Sequence, residues 1–552
     1  MKKNSVLSFK TWLPHIVAIA VFMGITLAYM YPVLSGEKMV QSDILSHKGS
    51  AKEIYDYREQ YGEEPLWTNS MFGGMPSFMI STSYPSNYTQ YIQKIITFGT
   101  ENPVRHIFLL MLGFYVLMLA LNVNPWLGIV GSIGFAFSSY FFVALEAGHT
   151  NKIASVAYIP AVIAGVLVGY RKNIFLGFAL TALALTLELY AKHVQITYYL
   201  LLFVVIIGIG ELISAIKENK LPHFAKATVV LIFAAVLAIV PNWSYLDTAR
   251  THSKETIRGG SSELTAKAKE TDGGLDYEYA TGWSYGKMET FTLLIPNYYG
   301  GASGGELSES SATYQALKDR GVATKQAKDY IKSMPLYWGD QRFTSGPVYV
   351  GAAICFLFLL GMFVVKDSLK WALLAATFLS LFLAWGKHSI LVFDFFFYYV
   401  PYFNKFRTPS MALILAETTM PIIGILAIRE IVSGKVNKSE LMKALKISLL
   451  TVGGLVLIFG VFGSFFMDGV GPNDQQYEAN NQGWLISAIQ QDRLKMVRMD
   501  ALRSLFFIIA AAAAIFAFAT DKLKKSHFIA GLAVIILADL WFVDKRIVVV
   551  EL

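Results

Sequence analysis

The stretch YMYPVLSGEKMVQSDILSHKGSAKEIYDYREQYGEEPLWTNSMFGGMPSF, Tyr29–Phe78, separates an apolar sequence from a polar one. The apolar run ahead of it ends near Leu34. Glu37, Asp43, His47, Glu53, Asp56, Glu63 and Glu64 follow, and then Trp67, Asn69 and the pair Gly73-Gly74. The run from Leu13 to Leu34 is long enough to cross a bilayer, which takes about 20 apolar residues. A basic leader, MKKNSVLSFKTW, precedes it, and no small-residue cleavage site follows, so it reads as a retained first span and not a signal peptide. The acidic stretch is then a loop held at the membrane surface.

The rest of the chain supports a membrane setting. Of 552 residues, 55% are hydrophobic and only 16% charged, against about 25% charged in a soluble protein. Apolar runs at 13–34, 106–122, 125–145, 153–170, 174–190, 196–215, 224–243, 346–365, 369–385, 409–430, 446–467, 501–520 and 526–543 predict an all-α polytopic membrane protein of about thirteen spans. ILVFDFFFYYVPYF, 390–403, is too short and aromatic for an ordinary span and predicts a re-entrant or interfacial helix.

Charge sets the sidedness. With the N-terminus inside, segments 1–12, 171–173, 216–226, 366–370, 429–446 and 521–525 are cytoplasmic, and Lys and Arg far outnumber acids in them. The net charge of +8 is thereby accounted for by span-end residues, and a nucleic-acid partner is rejected. The C-terminus falls outside. The expected organisation is a first span in 1–34, a first extracytoplasmic loop at 35–105 and spans two to seven in 106–243. A second large extracytoplasmic loop at 244–345 follows, with a helix near 310–333 and Gly-rich stretches such as RGGSSELTAKAKE. Spans eight to thirteen occupy 346–545, with the re-entrant segment near 386–408, and 546–552 is an extracytoplasmic tail. No HExxH or GxxxxGK[ST] pattern occurs, and GASGG at 301–305 lacks a strand–loop–helix setting, so an ATP-driven pump is disfavoured. The single cysteine, Cys355, carries no disulfide information.

Polar residues that need a reason gather at the outer span ends. Asp43 follows the first span closely. EAGHTNK brings Glu146, His149 and Lys152; YAKHVQITYY follows Glu188 and brings Lys192, His193 and Gln195; PYFNKFRTPS brings Lys405 and Arg407; WSYGKMETF adds Lys287 and Glu289. Each has a plainer reading. Lys152 and Lys192 suit snorkelling anchors, His149 and His193 suit hydrogen-bonded packing, and Glu146 and Glu188 suit internal salt bridges to a lysine. Arg407 before Thr-Pro suits a cap, and Asp43 suits a solvated loop. Read together, they are the parts of a transfer site: a carboxylate able to take a hydroxyl proton or hold a divalent cation, and cations able to hold a phosphate.

In the order and sidedness of SDILSHKG, PLWTNSMFGGMPSF, EAGHTNKIASVAYIP, AKHVQITYYLLL, WSYGKMETFTLLIPNYYGG and FNKFRTPSMALILAE, the chain resembles the YfhO-like bacterial membrane proteins of the GT-C glycosyltransferase superfamily. The resemblance implies a transferase that moves sugar from a polyprenyl-phosphate-linked donor to a cell-envelope polymer, lipid or protein. The reaction would take place on the outer face of the bacterial cytoplasmic membrane. Asp43 matches the first-loop carboxylate and would be catalytic. Arg407, with Lys405, His149, Lys152, Lys192, His193, Gln195 and Glu146, would bind donor phosphate or substrate. A divalent cation stays open and its ligands unassigned, because the acidic pair of some metal-dependent members is not evident beside Asp43. Relatives carrying a further soluble part imply that the tail RIVVVEL could begin a strand of such a domain. The alternative function is a transporter or flippase of lipid-linked envelope precursors, which would require polar residues deep in mid-span.

Overall fold

The computed structural model describes residues 9–259, 273–548 and 550–551. The expected basic leader up to residue 8, most of RGGSSELTAKAKE, and residues 549 and 552 of the tail lie outside them.

The described chain is mostly helical, with four strands of two residues each. Eight helices are long and apolar enough to cross a membrane among the described residues, or nine if the bent pair Pro125–Ala136 and Ser139–Glu146 is one span. Shorter apolar helices occupy Val104–Ala120, Ile174–Tyr190, Ala352–Val364 and Leu369–Ala384, at the positions of the remaining apolar runs. Ile390–Tyr399 forms the short aromatic helix expected there. Its exposed Leu391, Phe395, Tyr398 and Tyr399 suit contact with lipid.

The most enclosed helices are Thr150–Arg171 and Ile414–Val432, buried along nearly their whole length. Their small residues explain how neighbours approach. A Cβ on Gly165 would meet Thr181 Oγ1 at 2.4 Å, and one on Gly361 would meet the Ile423 carbonyl at 2.7 Å, so only glycine allows these crossings. The bend between residues 136 and 139 is 47°. It frees backbone groups in an apolar setting, and the chain 347–351 satisfies them: Ser139 N–H donates to the Tyr349 carbonyl (2.9 Å), and Ser139 Oγ accepts from Tyr349 N–H (2.8 Å).

One end of the bundle carries both long loops. The first loop folds as three short α-helices, Ser42–Ser50, Lys52–Tyr61 and Thr89–Ile96, and a hairpin pairing Trp67–Thr68 with Met75–Pro76. Glu53 ties the second helix to the hairpin by accepting from the Asn69 and Ser70 N–H groups, each at 2.9 Å. Gly74 is required in the hairpin: its φ is +123°, and a Cβ there would lie 2.6 Å from Trp67 Nε1. Exposed Phe72 stands in the hairpin turn, and exposed Leu66 and Trp67 at the start of its first strand.

In the second loop, the helix expected near 310–333 is two, Ala312–Asp319 and Thr324–Tyr330. They pack on the helix Gly483–Ala519, which has 37 residues. At about 1.5 Å per residue it is roughly 55 Å long, well beyond the hydrocarbon thickness of about 30 Å. Its first half therefore stands clear of the bilayer as a post, with Leu485, Ile486 and Ile489 packed against Leu317, Ile331 and Leu336. The tail also returns: Val550–Glu551 pairs antiparallel with Lys38–Met39. The strand expected in RIVVVEL thus finds its partner immediately after the first span.

Candidate functional site

The site is built where the first loop meets the turn EAGHT. Gln41 Nε2 donates to the Leu145 carbonyl, and Asp43 N–H to the Ala147 carbonyl (3.4 Å). Gly148 makes the close approach possible. Its φ is +87°, and a Cβ there would stand 3.3 Å from Asp43 Cβ and 3.0 Å from Ile44 Cγ1. The next residue, His149, is thereby carried over Asp43, which occupies the first turn of helix Ser42–Ser50. A helix N-terminus favours a carboxylate.

The contacts form a directed row. Lys152 Nζ donates to His149 Nδ1 at 2.9 Å, and His149 Nε2 stands 3.0 Å from Asp43 Oδ2. An acceptor Nδ1 requires the proton on Nε2, where it is donated to the carboxylate. Burial, followed by the charge of Lys152 and, more weakly, of Arg407, pushes the imidazole down to about 4 against the opposing pull of Asp43. His149 is therefore neutral at pH 7. Asp43 Oδ2 is occupied, while Oδ1 accepts no hydrogen bond among the described residues, and the side chain is exposed.

The second arm comes from the loop after Glu188. His193 precedes helix Val194–Lys217, and its Nδ1 accepts from Ile196 N–H at 3.3 Å. Burial, then the charge of Lys152, pushes it down to about 3. Gln195 is buried and donates to the Arg407 carbonyl at 2.7 Å, so it positions the backbone that carries the arginine. Lys192 has its ammonium over the rings of Tyr84 (4.6 Å) and Tyr245 (5.7 Å). Lys405 donates to the carbonyls of Arg258 (2.8 Å) and Gly273 (2.9 Å), so its ammonium braces the second loop. Glu146 is half-buried at the end of helix Ser139–Glu146.

Arg407 follows this anchored backbone and reaches into an aromatic corner. Its Nη1 donates to Tyr279 Oη at 2.7 Å, and its guanidinium lies 5.8 Å from the Tyr279 ring and 5.6 Å from the Trp283 ring. A second cation shares both rings: Arg342 lies 5.9 Å from Tyr279 and 5.3 Å from Trp283. Sequence reading passed over Arg342, Tyr279 and Trp283. The one signal was the aromatic spacing of YATGWSYG, with nothing to connect it to Arg342 more than fifty residues on.

A polar layer lies beneath. Glu417 accepts from Ser138 Oγ at 2.7 Å. Asp539 accepts from Tyr349 Oη at 2.6 Å and Ala353 N–H at 3.0 Å, with Arg503 at 3.2 Å. Glu188 accepts from Thr197 Oγ1 at 2.9 Å, a hydroxyl partner where a lysine was the expectation. Glu417 lies in the first turn of Ile414–Val432, Glu188 in the last turn of Ile174–Tyr190 and Asp539 within the last two turns of Lys525–Asp544.

Among the described residues no group of three or more His, Cys, Asp or Glu is arranged to hold a metal. The donor set around Asp43 is also wrong for a divalent cation. Its neighbouring imidazole accepts a hydrogen bond from the Lys152 ammonium, and Lys152 and Arg407 bring positive charge to bear on that imidazole.

Compared with family models, with curated proteins and with solved structures, the chain matches none.

Proposed function

We propose that this chain is an integral membrane glycosyltransferase of the GT-C type, YfhO-like, which moves a sugar from a polyprenyl-phosphate donor to a hydroxyl of a cell-envelope acceptor. In this reading it has thirteen spans. The loop-bearing end faces outward, because the segments at the opposite end hold most of the span-end Lys and Arg. The observation that carries the proposal is the Lys152–His149–Asp43 row with the charge of Arg407 beside it.

The chemistry follows from those atoms. The acceptor hydroxyl gives its proton to Asp43 Oδ1 as its oxygen bonds to the anomeric carbon. The bond from that carbon to the donor phosphate oxygen breaks, and its electron pair stays on the phosphate. His149 holds Oδ2 and so fixes the direction of Oδ1. Arg407 stabilises the charge that grows on the leaving group, and its position is preset by Gln195 and Tyr279. The exposed Phe72 of the first-loop hairpin and the exposed rings of the aromatic helix Ile390–Tyr399 offer surfaces suited to lipid.

The test is a panel of polyprenyl-phosphate sugars presented to the purified full-length chain with envelope acceptors. The expected result is release of free polyprenyl phosphate from at least one donor. Movement of intact donors across reconstituted vesicles, with no release from any of them, would replace the transferase by the flippase.

A further inference from the structure

Arg342 and Arg407 reach the same two rings from different parts of the chain. Arg342 follows Gln341, which is held by a hydrogen bond to Glu289 at 2.8 Å. Arg407 follows Lys405, which is held by two carbonyls. The backbone of the corner is itself fixed: Thr408 N–H donates to the Ala280 carbonyl (3.1 Å), Ser410 N–H to the Trp283 carbonyl (3.2 Å) and Arg342 N–H to the Gly282 carbonyl (3.3 Å). Neither guanidinium has a carboxylate within ion-pair distance among the described residues. Arg58, Arg171, Arg493 and Arg546, by contrast, are paired with Glu64, with Glu211 and Asp367, with Asp474 and with Asp500. Two like charges held over one aromatic pair repel each other, and stacking only partly offsets this. Arg258 adds to the field, for burial and then the charge of Arg407 push its guanidinium down.

We infer that Arg342 and Arg407, with Tyr279 and Trp283 as their floor, form a two-cation subsite that prefers a phosphate monoester dianion to a phosphodiester monoanion. Two guanidiniums provide forks for more oxygens and charge than a diester offers. The corner also borders apolar surface. Tyr277, two residues before Tyr279, donates to Asp394 at 2.7 Å, and Asp394 is the one charge on the aromatic helix Ile390–Tyr399. A phosphate held in the corner would thus have its alkyl chain directed along that helix, which makes the ligand an amphiphile.

This inference rests on the proposed transferase reading only in identifying the monoester. A polyprenyl-phosphate sugar is a diester with one negative charge. The free polyprenyl phosphate left after transfer is a monoester with two. A subsite that favours the second charge strengthens its hold as the glycosyl bond breaks, so it lowers the barrier and holds the spent carrier. Arg342 then differs in role from Arg407, which touches donor and product alike.

The test is binding, independent of turnover. The purified full chain in neutral detergent is titrated at pH 8 with dodecyl phosphate, with methyl dodecyl phosphate and with inorganic phosphate. The wild type is expected to bind the monoester about tenfold tighter than the diester, as expected for one extra charge-assisted fork. Arg342→Gln should erase that preference while leaving diester binding within about threefold, and Arg342→Lys should restore part of it. Equal affinity for both esters in the wild type, or equal losses for both in Arg342→Gln, would overturn the two-cation preference. Inorganic phosphate binding as tightly as dodecyl phosphate would overturn the amphiphile assignment. Because no sugar is involved, an inactive transferase with intact monoester preference would refute the proposed function and leave the subsite standing.

Discussion

At the scale of single residues the site depends on backbone placement as much as on charge. Gln195 makes no direct approach to Asp43, yet its amide holds the Arg407 carbonyl. Gln195→Ala should leave the fold intact and release the loop that carries the arginine. Since misplacing a catalytic group by about 1 Å costs up to about a hundredfold, turnover should fall by roughly ten- to a hundredfold. The loss should appear in kcat more than in KM, as measured by steady-state transfer. Several of these residues were legible in the sequence by type and sidedness: Asp43, His149, Lys152, His193 and Arg407 are gathered around one point. Their division of labour was not. Lys405 and Gln195 read as phosphate or substrate ligands, and instead both bond main-chain carbonyls. Nothing in a residue's type distinguishes a ligand from a brace, because both need the same donors.

At the scale of elements the post Gly483–Ala519 organises the outer cap. Arg493 is buried on it and bonds both oxygens of Asp474 (2.6 and 3.1 Å), together with the carbonyls of Gly469 and Pro335. Arg493→Ala would leave the Asp474 carboxylate buried without its counter-ion, at a cost of about 3–5 kcal/mol. Thermal unfolding and proteolysis should show the 306–336 segment loosened first. The pair Arg493→Met and Asp474→Leu should recover much of the loss. A second element reports on pH. Burial pushes the Glu289 carboxyl up to about 7, despite the hydrogen bonds it accepts from Gly286 N–H, Gln341 and Tyr337. Its folded value exceeds its unfolded one, so its contribution is complete below about pH 4.5 and is lost as pH rises through about 7, on the order of 3 kcal/mol. The gap in melting temperature between wild type and Glu289→Gln should therefore change across that window and be flat above pH 8. The post itself escaped sequence reading because hydropathy marks only the portion in lipid. The polar half, 483–499, has helical packing against a partner nearly two hundred residues earlier, which no local window contains.

At the scale of the whole molecule, composition and apolar runs were enough to define a helical membrane protein, since each bilayer crossing imposes its own local signature. The assembly of the site was not local. Asp43 meets His149, Gln195 meets the Arg407 backbone, and Tyr279 meets both Arg342 and Arg407, each across a long stretch of chain. The most direct test of the account is single-turnover transfer by Asp43→Asn, with donor binding measured on the same preparation. The account predicts donor affinity within about threefold of wild type and transfer slower by at least about a hundredfold, the range for loss of a general base. Transfer at the wild-type rate with donor bound would contradict it.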